Sequence, residues 1–290
     1  MGTGRGTGGR GDVRMTTSSR IALVTGGGRG LGRVMALALL QAGHDVIVAS
    51  TDVDALAETL AAAAAMPGRA KAIAVDLAVA GEAERLADEA LATFGRIDIL
   101  LNNAGISVSA VSTDHLVNPY RFWRSDRAVI ERFFAINAVA PMVLATRLAP
   151  AMIERGWGRI VANTTSLDTM LRFSLYGGSK AALEAETAVM ANDLAGTGVT
   201  SNVLVPGGGT GTRMTDKSGI PREQLFPDTI MAAPAVFLAS DASNDFSGRR
   251  ILANRWKPGL PEREAAELAS DPIAWTGYGS LGVQPAMARK

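Results

Sequence analysis

The chain contains no cysteine in 290 residues and only two histidines, His44 and His115. Disulfides, thiolate metal sites and a cysteine nucleophile are therefore excluded. His-x-x-x-His metal pairs and Ser-His-Asp triads are poorly supplied, no Gly-x-Ser-x-Gly elbow occurs, and no metal site is expected. Charge of one sign is also missing. A formal net charge of +1 makes no case for a nucleic-acid or acidic-membrane partner. No apolar run approaches the roughly 18 residues of a membrane span. The expectation is a cytoplasmic protein acting on a small molecule. Lysine is scarce, with five among 29 basic residues. Any lysine in a special setting is correspondingly notable.

The apolar content is ample for one large α/β domain. Residues 1–19 are Gly, Arg, Thr and Ser with almost no apolar content, and are expected to be disordered. Met15 is a candidate for the true start. From residue 20 the chain alternates. A short apolar run (20–25) leads into Gly26-Gly-Gly-Arg-Gly-Leu-Gly32 and then an apolar-rich helix to about 42. Further strands are expected at 45–50, 70–75, 97–101, 159–163, 199–205 and 250–253. Helices are expected at 52–65, 81–94, 125–155, 174–195 and 228–239, with Pro141 kinking or loosening the long one. Strands alternating with helices give right-handed βαβ units and a doubly wound parallel sheet. Ligands then sit at the carboxyl ends of the strands. Residues 256–290 show no periodicity and read as an irregular tail, with a neighbouring subunit as one possible packing partner.

The glycine turn supplies backbone N–H groups and a helix N-terminus to a pyrophosphate. The string Gly-x-Gly-x-x-Gly is not its marker. That string occurs at Gly4–Gly9, Gly6–Gly11 and Gly277–Gly282, where no strand precedes and no helix follows. Context decides in favour of Thr25-Gly26-x-x-x-Gly30-x-Gly32. A second motif is Tyr176-Gly-Gly-Ser-Lys180. Residues four apart share one helix face, and an ammonium beside a phenol is expected to lower the phenol's pKa from about 10. Such a tyrosine can exchange a proton near neutral pH.

Taken together, these motifs resemble the short-chain dehydrogenase/reductase family over about residues 20–254. The turn Thr25, Gly26, Arg29, Gly30, Leu31, Gly32 matches the family's cofactor turn. Asp76, followed by Leu77, matches its adenine-contacting acid, and Asn102-Asn103-Ala104-Gly105 its signature after the fourth strand. Asn137 matches the helix asparagine of a proton relay. Tyr176 and Lys180 match the catalytic pair, Pro206-Gly207 the turn near the nicotinamide, and Thr212-Arg-Met214 a Thr-x-Met motif with one extra residue before it. The resemblance implies a Rossmann-type fold and hydride transfer between a nicotinamide cofactor and a carbonyl or alcohol. Tyr176 would exchange the proton, with Lys180 holding the nicotinamide ribose. The family's catalytic Ser stands 13 residues before the Tyr, where this chain has Asn163. Ser166 is expected to take that role, with Thr165 as the alternative.

Cofactor choice turns on the end of the second strand. Ser50 and Thr51 stand where an acid would greet a free 2′-hydroxyl, and Arg29 lies in the turn. NADP(H) is expected over NAD(H), although Asp52 is close by. The pocket is expected to come from 106–124, 167–175 and 210–227. Met170, Leu171, Phe173 and Leu175 suggest a mainly apolar substrate. An NAD-dependent alcohol dehydrogenase and a non-catalytic nucleotide sensor or scaffold are the alternative readings. By the family pattern, helices 125–155 and 174–195 would pair across a two-fold axis into a dimer or tetramer.

Overall fold

In the first strand, β1 (Ile21–Thr25), every residue is buried. Ala22 and Val24 face one apolar cluster while Ile21 and Leu23 face another. A strand buried on both faces belongs in the interior of a parallel sheet. The computed structural model, which describes residues 19–115, 118–212, 215 and 220–275, shows that sheet. Its strands are β1, β2 (Asp45–Ser50), β3 (Ala70–Ala74), β4 (Ile99–Asn102), β5 (Gly158–Asn163), β6 (Val199–Val205), β7 (Arg249–Leu252) and β8 (Ser270–Pro272). The order is β3-β2-β1-β4-β5-β6-β7-β8, parallel except for the β7–β8 pair. Connections therefore run outward in both directions from the β1–β4 junction. That reversal leaves a crevice at the strands' carboxyl ends.

On one face, α1 (Gly30–Gln41) packs Met35, Leu39 and Leu40 with Phe237 and Leu238 of α8 (Ala232–Leu238). On the other, α3 (Glu82–Phe94) buries Leu86, Ala87 and Ala90 against Leu144, Leu148 and Met152 of α5 (Ala140–Glu154). The helix α2 (Val53–Ala63) starts at Asp52, whose side chain accepts from the Ala55 N–H. The long helix expected at 125–155 is divided. It comprises α4 (Arg127–Phe134), a π turn over Ala135–Val139, and α5. Pro141 supplies the cause, since it has no N–H to bond back into the preceding turn. The continuous stretch Arg127–Glu154 is long and apolar enough by composition to cross a membrane, but its apolar face is part of the core.

Three elements were not expected from the sequence. The segment 167–175 holds a short helix, α6 (Leu167–Arg172), ahead of α7 (Tyr176–Asp193). The sheet also runs past residue 255. There α9 (Glu262–Ala269) buries Ala265, Ala266 and Ala269, and β8 pairs antiparallel with β7. Trp256 packs with the core beside Phe237. Residues 256–272 thus fold onto their own sheet. Residues 1–18 and 276–290, and with them Met15 and the end of the expected tail, lie outside the described residues.

The glycines of the turn after β1 are fixed by close approach. A Cβ on Gly32 would lie 2.2 Å from the Gly26 carbonyl oxygen and 2.4 Å from Asn103 Nδ2. Gly43 also has a positive φ, +89°, but open space around it. Gly43→Ala is expected to cost only the left-handed strain of about 1–2 kcal/mol. Gly32→Ala has to push backbone apart and should cost clearly more, with loss of cofactor binding. Urea unfolding of both variants compares the two costs.

Candidate active site

The turn after β1 is clasped to the end of β4. Thr25 Oγ1 accepts from the backbone N–H groups of Asn103 and Ala104, both at 3.0 Å. Asn103 Nδ2 donates to the Thr25 and Gly26 carbonyls at 2.9 and 3.3 Å. Gly26 and Gly30 hold φ of +66° and +52°. Thr212 folds back so that its methyl lies 3.4 Å from where a Gly30 Cβ would be. Arg29, an extended residue at the start of α1, pairs with Asp52 at 3.0 Å. The Ser50 hydroxyl accepts from the Asp52 N–H at 3.3 Å. Asp76 accepts from the Ala78 N–H at the end of β3, with Leu77 packed on the core. Pro206 and Gly207 are held by Asn254, whose backbone N–H and side-chain Nδ2 donate to their carbonyls. Arg213 and Met214 lie outside the described residues.

Tyr176 is the first residue of α7, and its position is over-determined. Leu175 before it has φ 61° and ψ −52°, a left-handed setting rare for leucine. The Tyr176 N–H donates back to the Ser174 carbonyl at 2.7 Å, closing a tight γ-turn. Gly177 lets the Met170 carbonyl come so near that a Cβ there would sit 1.9 Å from it. Thus α6 and the turn together press Tyr176 toward the crevice.

Lys180 lies one turn along and is buried. Its Nζ donates to the Asn163 carbonyl at 2.7 Å. Asn137, in the π turn, holds Ile106 by both backbone groups and donates to Ser179 Oγ, each at 2.9 Å. A Cβ on Gly105 would lie 3.1 Å from Asn137 Oδ1 and 3.2 Å from Lys180 Nζ. Gly105, Asn137 and Lys180 therefore converge on one spot, with Tyr176 a helical turn away.

The hydroxyls after β5 separate by direction. Thr164 Oγ1 turns inward and donates to buried Glu184 at 2.7 Å. The Thr165 side chain lies by the Tyr176 phenol, close enough to lower its pKa. Ser166, expected to face the carbonyl, instead caps α6: its Oγ accepts from the Thr169 N–H at 3.2 Å and donates to Thr169 Oγ1 at 2.8 Å. A helix beginning at residue 167 requires a cap at 166, and serine is well suited to it. The Tyr176 phenol also departs from expectation. Burial pushes its pKa up from the ordinary value, opposed by the Thr165 side chain. The Lys180 ammonium gives one of its hydrogen bonds to the Asn163 carbonyl, and burial lowers its own pKa to about 8.

Between loop 106–124 and the α6–α7 junction lies a cavity of about 120 Å³, walled by Val108, His115, Tyr120, Arg172, Phe173 and neighbours. Its lining is mainly apolar, with His115, Arg172 and Ser174 as the polar additions. Met170 turns into the fold, while Leu171 is 81% exposed. His115 meets Phe173 edge-on at 5.7 Å.

The comparisons with known proteins agree with this geometry. Residues 20–222 match the family model described as short chain dehydrogenase. An uncharacterised oxidoreductase from Mycobacterium tuberculosis is 34% identical over 249 residues, covering 80% of this chain and 89% of its relative. The rhamnolipids biosynthesis 3-oxoacyl-[acyl-carrier-protein] reductase of Pseudomonas aeruginosa is 31% identical, with 81% and 94% covered. Among solved structures, a putative NAD(P)-dependent gluconate 5-dehydrogenase from Beutenbergia cavernae with bound NADP superposes with TM-score 0.70 at 31% identity, covering 81% of this chain and 95% of that one. The chain belongs to the short-chain dehydrogenase/reductase family, whose members are NAD(P)-dependent oxidoreductases. The glycine cradle, too tight for any Cβ at Gly26 or Gly32, fits a dinucleotide.

The buried lysine has a thermodynamic signature. In the folded chain Lys180 releases its proton near pH 8, and in the unfolded chain near 10.5. Between those values the unfolded state binds more protons, so stability attributable to this group rises with pH. Below pH 8 its burial cost is fully present. Against Lys180→Met, which has no proton to lose, the wild type should gain up to about 3 kcal/mol from pH 8 to 10.5. Urea midpoints of both proteins across this range measure it, and a pH-independent gap would place the Lys180 pKa outside the window.

Proposed function

We propose that the protein is an NADP(H)-preferring oxidoreductase that interconverts a small carbonyl compound and its alcohol, with Tyr176 as general acid and base. The carrying observation is the convergence of Gly105, Asn137 and Lys180 at the sheet's carboxyl end, with Tyr176 one helical turn away and Thr165 beside its phenol. The nicotinamide supplies or accepts the hydride when bound. Tyr176 gives its proton to the carbonyl oxygen. A phenol whose pKa burial has raised holds that proton through the neutral range, which suits a donor. Thr165 donates a hydrogen bond to the same oxygen and steadies its developing charge. Lys180, positioned by Asn163, presents its ammonium to the nicotinamide ribose. Asn137 fixes the strand-end loop at Ile106 and lies on the proton's route to solvent.

The preference for NADP(H) rests on Arg29 and on Ser50 and Thr51 in place of an acid. Asp52 competes, but weakly. The Arg29–Asp52 pair lies at the surface, with Arg29 exposed and Asp52 half-buried, and such surface pairs contribute about 0–1 kcal/mol. A charge-assisted bond to a phosphate is worth roughly 1.5–3 kcal/mol, so Arg29 gains by turning to a 2′-phosphate. The bound NADP in the solved relative from Beutenbergia cavernae is consistent with this choice.

Assembly through α4–α5 and α7 into a dimer or tetramer is part of the proposal. Ile130, Phe134, Val139, Ile153 and Val189 are exposed apolar residues on those helices.

A carbonyl panel with both reduced cofactors, followed by nicotinamide absorbance, tests the activity. Tyr176→Phe should lower turnover by about 10²–10⁴-fold while leaving cofactor binding intact. Arg29→Ala should weaken NADPH binding by about tenfold or more and barely touch NADH. Tighter binding of NADH by the wild type would sink the cofactor assignment. Thr165→Val should lower kcat by about 10²-fold. Ser166→Ala removes only a cap, at a cost of about 1 kcal/mol of stability. If Ser166→Ala were the crippled variant, the hydroxyl would be Ser166 after all.

A further inference from the structure

A buried ion pair lies behind the site and takes no part in the chemistry described so far. Glu184 is fully buried, and the Arg250 side chain is 9% exposed. Arg250 Nη1 donates to both Glu184 carboxylate oxygens, at 2.6 and 2.5 Å. Its Nη2 donates to the Thr165 carbonyl at 2.7 Å. Thr164 Oγ1 donates to the same carboxylate at 2.7 Å.

The placement is systematic. Tyr176, Lys180 and Glu184 succeed one another four residues apart along a single face of α7. Each engages the extended segment leaving β5. Asn163 is held by Lys180, Thr164 by Glu184 and the Thr165 carbonyl by Arg250, while the Thr165 side chain lies by the Tyr176 phenol. Arg250 pairs in register with Val203, which pairs with Ala162, so its guanidinium spans the width of β6 to reach Thr165. Only a planar fork with donors on two prongs can bond Glu184 and the Thr165 carbonyl at once.

Energetics argue that this pair is not there for stability. An apolar pair of similar volume is commonly as stable as a buried ion pair, or more so. What Glu184 and Arg250 supply that apolar residues cannot is direction. They fix the Thr165 peptide, and so the rotation that aims its hydroxyl at Tyr176.

We propose that Glu184 and Arg250 are positioning residues for the Thr165 hydroxyl, an inference that rests on Thr165 being the hydroxyl partner of Tyr176. The test is a mutant cycle on a carbonyl substrate that the wild type reduces. Glu184→Leu with Arg250→Met removes both charges together and leaves neither stranded. This double variant should keep its fold and its NADPH affinity while kcat falls about 10- to 100-fold. Thr165→Val should then cost less than about threefold in the double variant, against its far larger cost in the wild type. A double variant with kcat within about twofold of wild type, or one in which Thr165→Val keeps its full cost, overturns the proposal. A wild-type background indifferent to Thr165→Val would instead overturn the underlying hydroxyl assignment. Should the double variant not fold, Arg250→Lys serves in the same cycle. It keeps a buried cation beside Glu184 but lacks the second prong, and the same two outcomes decide.

Discussion

The clasp between Thr25 and Asn103 is the contact on which the site depends. At the β1–β4 junction the sheet's connections diverge, and no crossover helix ties the two strand ends together. Thr25 Oγ1 accepting from two successive backbone N–H groups, and Asn103 Nδ2 bonding back to two carbonyls, supply that tie. Four short polar contacts thus set how wide the crevice opens. The turn glycines and the Asn102–Gly105 segment are held by the same four bonds, so neither can shift without the other. Glycine is required at 32 by this closeness, and at 26 by closeness together with a left-handed φ of +66°.

A second constraint comes from α7. Its first turn is wedged between a strained Leu175 and the Met170 carbonyl, which pins Tyr176 at the helix start. Strain of this kind persists only where the surroundings hold it. One turn deeper, Lys180 is buried without a carboxylate partner and gives its proton up near pH 8. The helix therefore holds Leu175 and Lys180 at a cost in stability, offset by the two apolar layers that cover the sheet.

Strands such as β1, β2 and β4 were legible because each is a short apolar-rich run bounded by glycine or polar residues, and the rest followed from their alternation with helices. The glycine turn and the Tyr176–Lys180 spacing were legible for the same local reason. What escaped was structure specified by small or distant residues. The buried face of α9 consists of Ala265, Ala266 and Ala269, too small to make an apolar stripe stand out, and β8 contains Asp271 and Pro272. The helix α6 is six residues long, and its start signal, Ser166, is a residue type that also suits a catalytic hydroxyl. Alternation along an extended segment sets Thr164, Thr165 and Ser166 in different directions, but the capping role of Ser166 is visible only once residue 167 is known to begin a helix. The raised Tyr176 pKa could not be read from spacing, because Lys180 bonds to a β5 carbonyl that lies 17 residues earlier. The Glu184–Arg250 pair joins residues 66 apart, beyond any local pattern.

The reversed final strand has a consequence for how the molecule meets others of its kind. A parallel sheet ending at β7 would present a row of unpaired N–H and C=O groups, a template on which a further chain could register. Here that row is taken by β8, only three residues long, with an exposed Asp271 and with Pro272 lacking an N–H to offer. On this side the sheet is closed by a short strand of the same chain, which leaves a further strand few groups to register against, as a carpenter's bead finishes a board edge.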